Sequence, residues 1–465
     1  MMCSNSFTSS FKKFIPVLIL VILIITVGKC LNYVYLDDYI DGSARNFWHN
    51  FYHYDRGIDS ICIGSSHVQC DVDPQVLTDL SGREFYDMST SALPQNGCYY
   101  LLREACREYD IKHVYLEMFY AVNICSEEDG TYVDRIESGR NFNWRNTDYM
   151  KPSLNRLLYK LSIGPVENYP EIFVPFIRYR SQLFDDGHFN YELIRHAMRA
   201  KRDPSYLNYG ETDMPLRDGE MRLLKNGFQD STITCGPDKF TLYPNVDLTR
   251  RKIGDTTKKY IEKIASFCKR NDIELTFFIS PMHRLQTMST VDYDAYHAQV
   301  AELAAELDVP FYDFNLAREE YLREIIRPEN MIDPEHFNRY GAEKFSTLFW
   351  QVISSDPAEA RNYFYNSFSE ALEQSEPEVY GLWGLDFVEN QDGGYDRINR
   401  IVSNHPEAFS YDVTILPDGI EAYAAEDLSA EGTFSFPLNG TGTILIKAQN
   451  KENGSIRELE LPYKP

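Results

Sequence analysis

A serine hydroxyl becomes a nucleophile near neutral pH only when a base takes its proton and an acid orients that base. The chain holds residues of those types in two short stretches far apart in sequence. The first is "SICIGSSHVQCDVDP", residues 60–74, where an apolar, strand-like run ends in Gly64, Ser65, Ser66 and His67. If Ile61 to Gly64 closes a strand and "DVDPQVLTDL" opens the next helix, both serines stand on a loop at the carboxyl edge of a sheet. A hydroxyl there points out of the sheet while nearby backbone N–H groups converge on a developing oxyanion. The second stretch, "MIDPEHFNRYGAEKFS", residues 331–346, sets Asp333 three positions before His336. On a helical turn, positions i and i+3 share a face, so Asp333 would hold the imidazole tautomer while His336 faces the serine. Pro334 suits the first turn of a helix and would stiffen that loop.

These residues need a frame that brings them together, and the spacing of apolar runs supplies one. Strand-like runs 58–64, 83–89 and 112–119 alternate with helical patterns at 73–80 and 96–109. The rhythm resumes with helix 255–271, strand 274–280, helix 292–307, strand 309–315 and a helix through 342–353. Short apolar strands separated by amphipathic helices predict an α/β fold with a doubly wound parallel sheet, whose site lies at the strand carboxyl ends. Residues 121–250 break the rhythm and read as a helical insertion or cap beside the site. Past residue 365 the chain turns to short β-rich runs split by Gly, Asn, Asp and Pro. That change predicts a small C-terminal antiparallel β-sandwich over 366–465, joined by the linker "SFSEALEQSEPE".

Of the 465 residues, 46 are basic and 70 acidic, a formal net charge of -24. That balance argues against nucleic acid, whose phosphates call for basic patches. At the N-terminus Lys12 and Lys13 precede an unbroken apolar run from Phe14 to Gly28. As a helix these residues span only about 22 Å at 1.5 Å per residue, short of a hydrocarbon core of about 30 Å. Two expectations follow. Residues 14–36 form a transmembrane signal-anchor with the bulk of the chain outside, which we favour, or the run is a cleaved signal peptide. The nine cysteines show neither CxxC pairs nor zinc spacing, so small buried hydrophobes are the expectation for most of them. No motif calls for a metal or an organic cofactor.

Together, "GSS" at 64–66 and "DPEH" at 333–336 resemble the first and last blocks of the SGNH/GDSL hydrolase superfamily, with Ser65 in place of the usual aspartate. The resemblance implies Ser66 as nucleophile, His336 as base and Asp333 as acid, with Ser65 as the alternative nucleophile. Its middle blocks supply oxyanion-hole donors. The counterparts here are Ser91, Ala92 and Asn96 in "MSTSALPQNG", and Glu117 or Asn123 in "LEMFYAVN", where the usual Gly-x-Asn-Asp is missing. A Gly-Ser-Ser first block with a membrane anchor is similar to members that work in D-alanylation of teichoic acids or acetylation of extracellular polysaccharides. This implies serine-dependent acyl transfer or ester hydrolysis on a surface polysaccharide or teichoic-type polymer, alongside a multi-spanning membrane acyltransferase. The rival expectation is a noncatalytic surface module of the same fold that binds polymer or docks such an acyltransferase. His67 reads as a polar residue entering the helix, and His283 as either a pocket-lining or a surface-loop residue.

Overall fold

Ile61, Cys62 and Ile63, following Ser60, carry apolar side chains on successive positions rather than alternate ones, the pattern of a strand covered on both faces. In the computed structural model, which describes residues 14–28, 43–128, 131–137, 144–178, 216–244, 246–390 and 394–464, this run is β1 (Ser60–Ile63), buried throughout. It belongs to a parallel sheet with β2 (Phe85–Asp87), β3 (His113–Glu117), β4 (Glu274–Ile279) and β5 (Phe311–Asp313). The order across the sheet is β5-β4-β3-β1-β2, every pair parallel. The order reverses between β1 and β3, and open parallel sheets hold ligands beside the strand ends at such a reversal.

Side chains divide strictly by parity. Ile61, Ile63, Val114, Leu116, Phe277 and Ile279 point into one core, which also takes apolar residues of α3 (Gln95–Glu108), α4 (Asp255–Arg270) and α5 (Tyr293–Leu307). Cys62, Tyr115 and Phe278 point into the other, shared with α1 (Ser66–Asp71), α2 (Pro74–Ser81) and α6 (Arg339–Ile353). Helices thus cover both faces. The boundaries follow local chemistry: Asp73 caps α2 by accepting the Gln75 N–H, Pro74 takes its first position, and Gly82 ends it at φ 71°. Such caps satisfy backbone groups that a helix end leaves open.

Two expectations need correction. Among its described residues, the insertion holds its α-helices before residue 179, Leu154–Ser162 and Tyr169–Phe173 among them, together with the hairpin Ser126–Glu128 with Thr131–Val133. From residue 216 it holds the hairpin Met221–Leu223 with Gln229–Ser231, a 3-10 turn at Pro237–Lys239 and the two-residue strands Thr241–Leu242 and Val246–Asp247. The predicted helix at 191–202 lies outside the described residues. The expected linker is instead α7 (Phe368–Gln374), with Phe368 and Ala371 buried; the Phe368 and Ser369 N–H groups donate to the carboxylate of Asp294 on α5. A run of charged residues reads as a linker until its two apolar positions are known to face a neighbour. Finally, residues 14–28 are helical and their apolar side chains exposed, but among the described residues no helix is long and apolar enough to cross a membrane. The rest of the expected anchor, 29–36, lies outside the described residues.

The C-terminal region forms two four-stranded sheets. One contains β8 (Val379–Glu389), β9 (Tyr395–Ser403) and β12 (Thr433–Pro437); the other contains β10 (Phe409–Pro417), β11 (Tyr423–Ala424), β13 (Gly442–Asn450) and β14 (Ile456–Tyr463). The first sheet is completed by Thr241–Leu242 of the insertion, paired in parallel with β8. Ile401, Phe434 and Phe436 from one sheet and Val413, Ile415, Ile446 and Leu461 from the other share the core that contains α6. The C-terminal region is therefore welded to the α/β domain. Phe368, 5% exposed and edge-on to Tyr293 at 5.4 Å, lies in the opposite core, where α7 anchors the start of the C-terminal region on α5. Phe368→Ala is expected to cost about 3–5 kcal/mol, the usual loss for a buried phenylalanine. Urea unfolding should then show a lower midpoint with helix and sheet signals still moving together; separate transitions would contradict a shared core.

Candidate active site

Gly64 follows β1 at a point where the chain crosses the end of β3. A Cβ on Gly64 would lie 2.5 Å from both Cβ and Oε2 of Glu117, so only glycine allows the approach. Ser65 then caps α1, its Oγ accepting the His67 N–H at 3.4 Å, while its own N–H donates to Glu117 Oε2 at 2.6 Å. Ser65 is 1% exposed. Its hydroxyl is turned into the cap, whereas Ser66, the first helical residue, is half-buried with its Oγ 2.9 Å from His336 Nε2. Of the two adjacent serines, the structure brings Ser66 to the histidine. As the first residue of α1, Ser66 also presents a backbone N–H with no intrahelical acceptor.

The histidine and its acid sit on a hairpin rather than the helical turn expected. β6 (Met331–Asp333) and β7 (His336–Phe337) pair antiparallel with Asp333 opposite His336, and Pro334 and Glu335 form the turn. Both geometries place i and i+3 side by side, which is why a four-residue motif does not tell them apart. Asp333 Oδ1 accepts the N–H groups of Glu335 (2.9 Å) and His336 (3.0 Å), and His336 Nδ1 lies 2.9 Å from Oδ1 and 3.1 Å from Oδ2. With Nδ1–H donated to Asp333, Nε2 is left facing the hydroxyl. The hairpin is held from outside: the His283 N–H donates to the Pro334 carbonyl, and Gln286 Nε2 donates to Glu335 Oε1 at 2.6 Å. The rest of the motif is structural. Asn338 caps α6 by accepting the Tyr340 and Gly341 N–H groups, and a Cβ on Gly341 would lie 2.2 Å from the Asn330 carbonyl.

Acidic groups dominate the electrostatics. Burial alone would lower the pKa of His336, but the hydrogen bond and charge of Asp333, with Asp71 and Glu335 nearby, push it up to about 9. Burial pulls Asp333 upward, and the imidazole more than offsets it, leaving the carboxyl below its ordinary value. His67 stacks on Phe119 at 3.9 Å and meets the His336 ring edge-on at 4.9 Å. It is fully buried, and burial, then the charge of His336, drives its pKa well down, so it stays neutral. Glu117 is also sealed, and burial raises it to about 7 against the bonds from Ser65. Ring nitrogens of His67 and His336 and a carboxylate oxygen of Glu335 lie within 4.8 Å of one another. A cation there would have to compete with Ser66 and Asp333, which engage both nitrogens of His336.

The other expected site residues serve the frame. Asn96 donates to the Ser162 carbonyl and hydroxyl, and Asn123 accepts from Gln95 and donates to the Tyr296 hydroxyl. Glu117 holds the nucleophile corner and presents no N–H donor. Ser91 is exposed and Ala92 half-buried at φ 52°, in a loop docked on the corner by the Thr90 N–H to the Gly64 carbonyl. His283 is neither of the alternatives expected: it caps the helix Arg284–Met288 by accepting the Leu285 N–H, wedged between Phe240 and Tyr380. Two residues beside the site escaped the sequence reading. Gln95 donates to the Glu117 carbonyl and to Asn123 Oδ1, and Asp71, on α1, accepts the Phe337 N–H at 2.8 Å. Neither belongs to a motif; proximity alone identifies them. A cavity of about 740 Å³ lies elsewhere, along β5, lined by His297, Phe311, Tyr312, Arg361 and Phe364 among others. The Ser66 cluster outweighs it as a candidate site because it brings a serine hydroxyl, a histidine and an aspartate into one hydrogen-bonded chain.

Below pH 9 the His336 ring carries a proton on Nε2 and cannot accept another from Ser66. Phosphonylation of Ser66 by a fluorophosphonate should therefore accelerate as pH rises toward about 9 and level off above it. Asp333→Asn removes the charge that retains the proton, so the limb should move toward the ordinary imidazole value of about 6.5, with the rate down about 10⁴-fold. A limb already complete by pH 7 in the native protein would contradict this electrostatic picture. Gly64→Ala is expected to destabilise by about 1–3 kcal/mol or more from overpacking against Glu117, read as a lowered thermal midpoint.

No family model and no curated protein sequence matches the chain. Among solved structures, a double mutant of the Cellulomonas fimi endo-beta-1,4-mannanase is similar at 10% identity over 92% of this chain and 99% of that one, with a TM-score of 0.15. A likeness that low carries no argument about fold or function.

Proposed function

We propose that the protein is an SGNH-like serine enzyme that transfers or hydrolyses acyl esters on a surface polysaccharide or teichoic-type polymer. The observation that carries this reading is the file Ser66 Oγ, His336 Nε2, His336 Nδ1, Asp333, joined at 2.9 Å at each step. It stands beside the reversal point of a sheet ordered 2-1-3-4-5, the flavodoxin-like doubly wound order. In the proposed reaction neutral His336 takes the Ser66 proton as the oxygen attacks the acyl carbonyl. The oxyanion is met by backbone N–H groups, with that of Ser66 foremost. Collapse expels the first alcohol, which leaves with the proton held on His336. An incoming hydroxyl then yields transfer, or water yields hydrolysis, through the reverse steps. The exposed apolar helix at 14–28 supports a position at the outer face of a membrane, beside a membrane acyltransferase that would supply the acyl group.

One observation favours the rival, a noncatalytic module of the same fold. Glu117, a carboxyl rather than an amide donor, occupies the place of the missing block. Labelling with a fluorophosphonate at pH 9 separates the readings. The enzyme predicts labelling of the intact protein that is retained in Ser65→Ala and lost in Ser66→Ala and His336→Ala, each by about 10⁴-fold or more. An intact protein that stays unlabelled would leave the binding module standing.

A further inference from the structure

β9 (Tyr395–Ser403) was not expected from the sequence, because its inward positions are not apolar. Arg397, Asn399 and Ile401 alternate inward, and all three are buried. Their cross-strand neighbours on β12 are Phe436 and Phe434, both sealed, and Phe436 meets Tyr463 of the facing sheet at 4.9 Å. Arg397 thus enters the space between the two sheets. It is 4% exposed, in a chain with 70 acidic residues, yet makes no ion pair among the described residues. Its Nε is sealed without a hydrogen-bond partner, as is Oδ1 of the fully buried Asn399 beside it. The guanidinium lies over the ring of Tyr243 at 5.6 Å. Tyr243, 47% exposed, fits against Gly384, where a Cβ would come within 2.4 Å of the ring. Exposed Phe387 stands directly across from Arg397, with Leu385, Val388 and Tyr395 exposed around it.

A buried guanidinium without an anion is costly, and a cation–π contact offsets only part of that cost. Terminal guanidinium nitrogens without a protein partner among the described residues, beside a half-exposed aromatic ring, match one kind of ligand: a sugar unit bearing a carboxylate or phosphate. The anion would take the guanidinium fork, and the sugar ring would stack on Tyr243. We propose that this end of the C-terminal sandwich binds an anionic group on a saccharide polymer, with Arg397 as its charge partner. The site extends the polymer reading of the protein by giving that polymer a charge, and it stands apart from the Ser66 cluster.

Calorimetric titration of the full chain tests it with three probes: an oligogalacturonate for carboxylate, an oligomeric glycerol phosphate for phosphate, and a neutral oligoglucose. At least one anionic probe should bind at least about tenfold tighter than the neutral one, and salt should weaken it. Arg397→Met, with folding checked by circular dichroism, should weaken the anion at least about tenfold, the share expected of a charge-assisted contact. If that variant does not fold, Tyr243→Ala serves instead, with an expected loss of about two- to fivefold. The site is overturned if neither anion binds, if the neutral probe binds as tightly, or if the folded variant keeps full affinity. Ser66 labelling without anion binding would refute this site alone, and anion binding without labelling would refute the enzyme alone.

Discussion

Asp71 is sealed from solvent on the last turn of the helix that begins with Ser66, and its Oδ1 accepts the Phe337 N–H at 2.8 Å. Phe337 is the neighbour of His336, so this one bond sets the nucleophile helix and the base hairpin at a fixed distance. The two parts come from opposite ends of the α/β domain. A hydrogen bond between Ser66 and His336 alone would not hold them in register, because a hydroxyl rotates freely and its single bond nets little against water. A buried carboxyl on a backbone N–H has no water to exchange with, and losing it would strand a polar group.

Burial then sets the chemistry of the groups around that joint. Asp71 and Glu117 are both fully buried and both pushed upward by desolvation, so each favours its neutral form more than an exposed acid would. Asp333 is the acid held ionised, because the His336 ring and two backbone N–H groups stabilise its charge. Environments that push neighbouring carboxyls apart in pKa allow each a distinct role. Here one acid orients the base while the others hold the backbone at the nucleophile corner and the hairpin.

The support reaches well beyond the sheet. Arg339 at the start of α6 pairs in bidentate fashion with Asp230 of the insertion, and Asn338 donates to the Ile233 carbonyl. The insertion in turn adds Thr241–Leu242 to a C-terminal sheet, and His283, whose N–H holds the base hairpin, packs against Tyr380 of β8. The three regions read as separate in sequence therefore share one load path around the hairpin.

The alternation of strands and helices was legible because short buried parallel strands and amphipathic helices have different apolar periods. The pairing of Ser66 with Asp333 and His336 was legible because a nucleophile, an acid and a base must come in fixed types, and the chain places them at strand ends. The resemblance already pointed to Ser66 with Ser65 as the alternative; what the structure added is the physical difference between two chemically alike hydroxyls, since the cap geometry turns only Ser65 inward. The hairpin in place of a helical turn also needed it, because four residues are too few to show a period. Asp71, Gln95 and Arg397 carry no signature at all: their roles come from burial and from neighbours brought close by the fold. Residue type and spacing determined which chemistry this chain could attempt; long-range packing decided which side chains stand where that chemistry could occur, because burial and distance arise only between segments that meet in three dimensions.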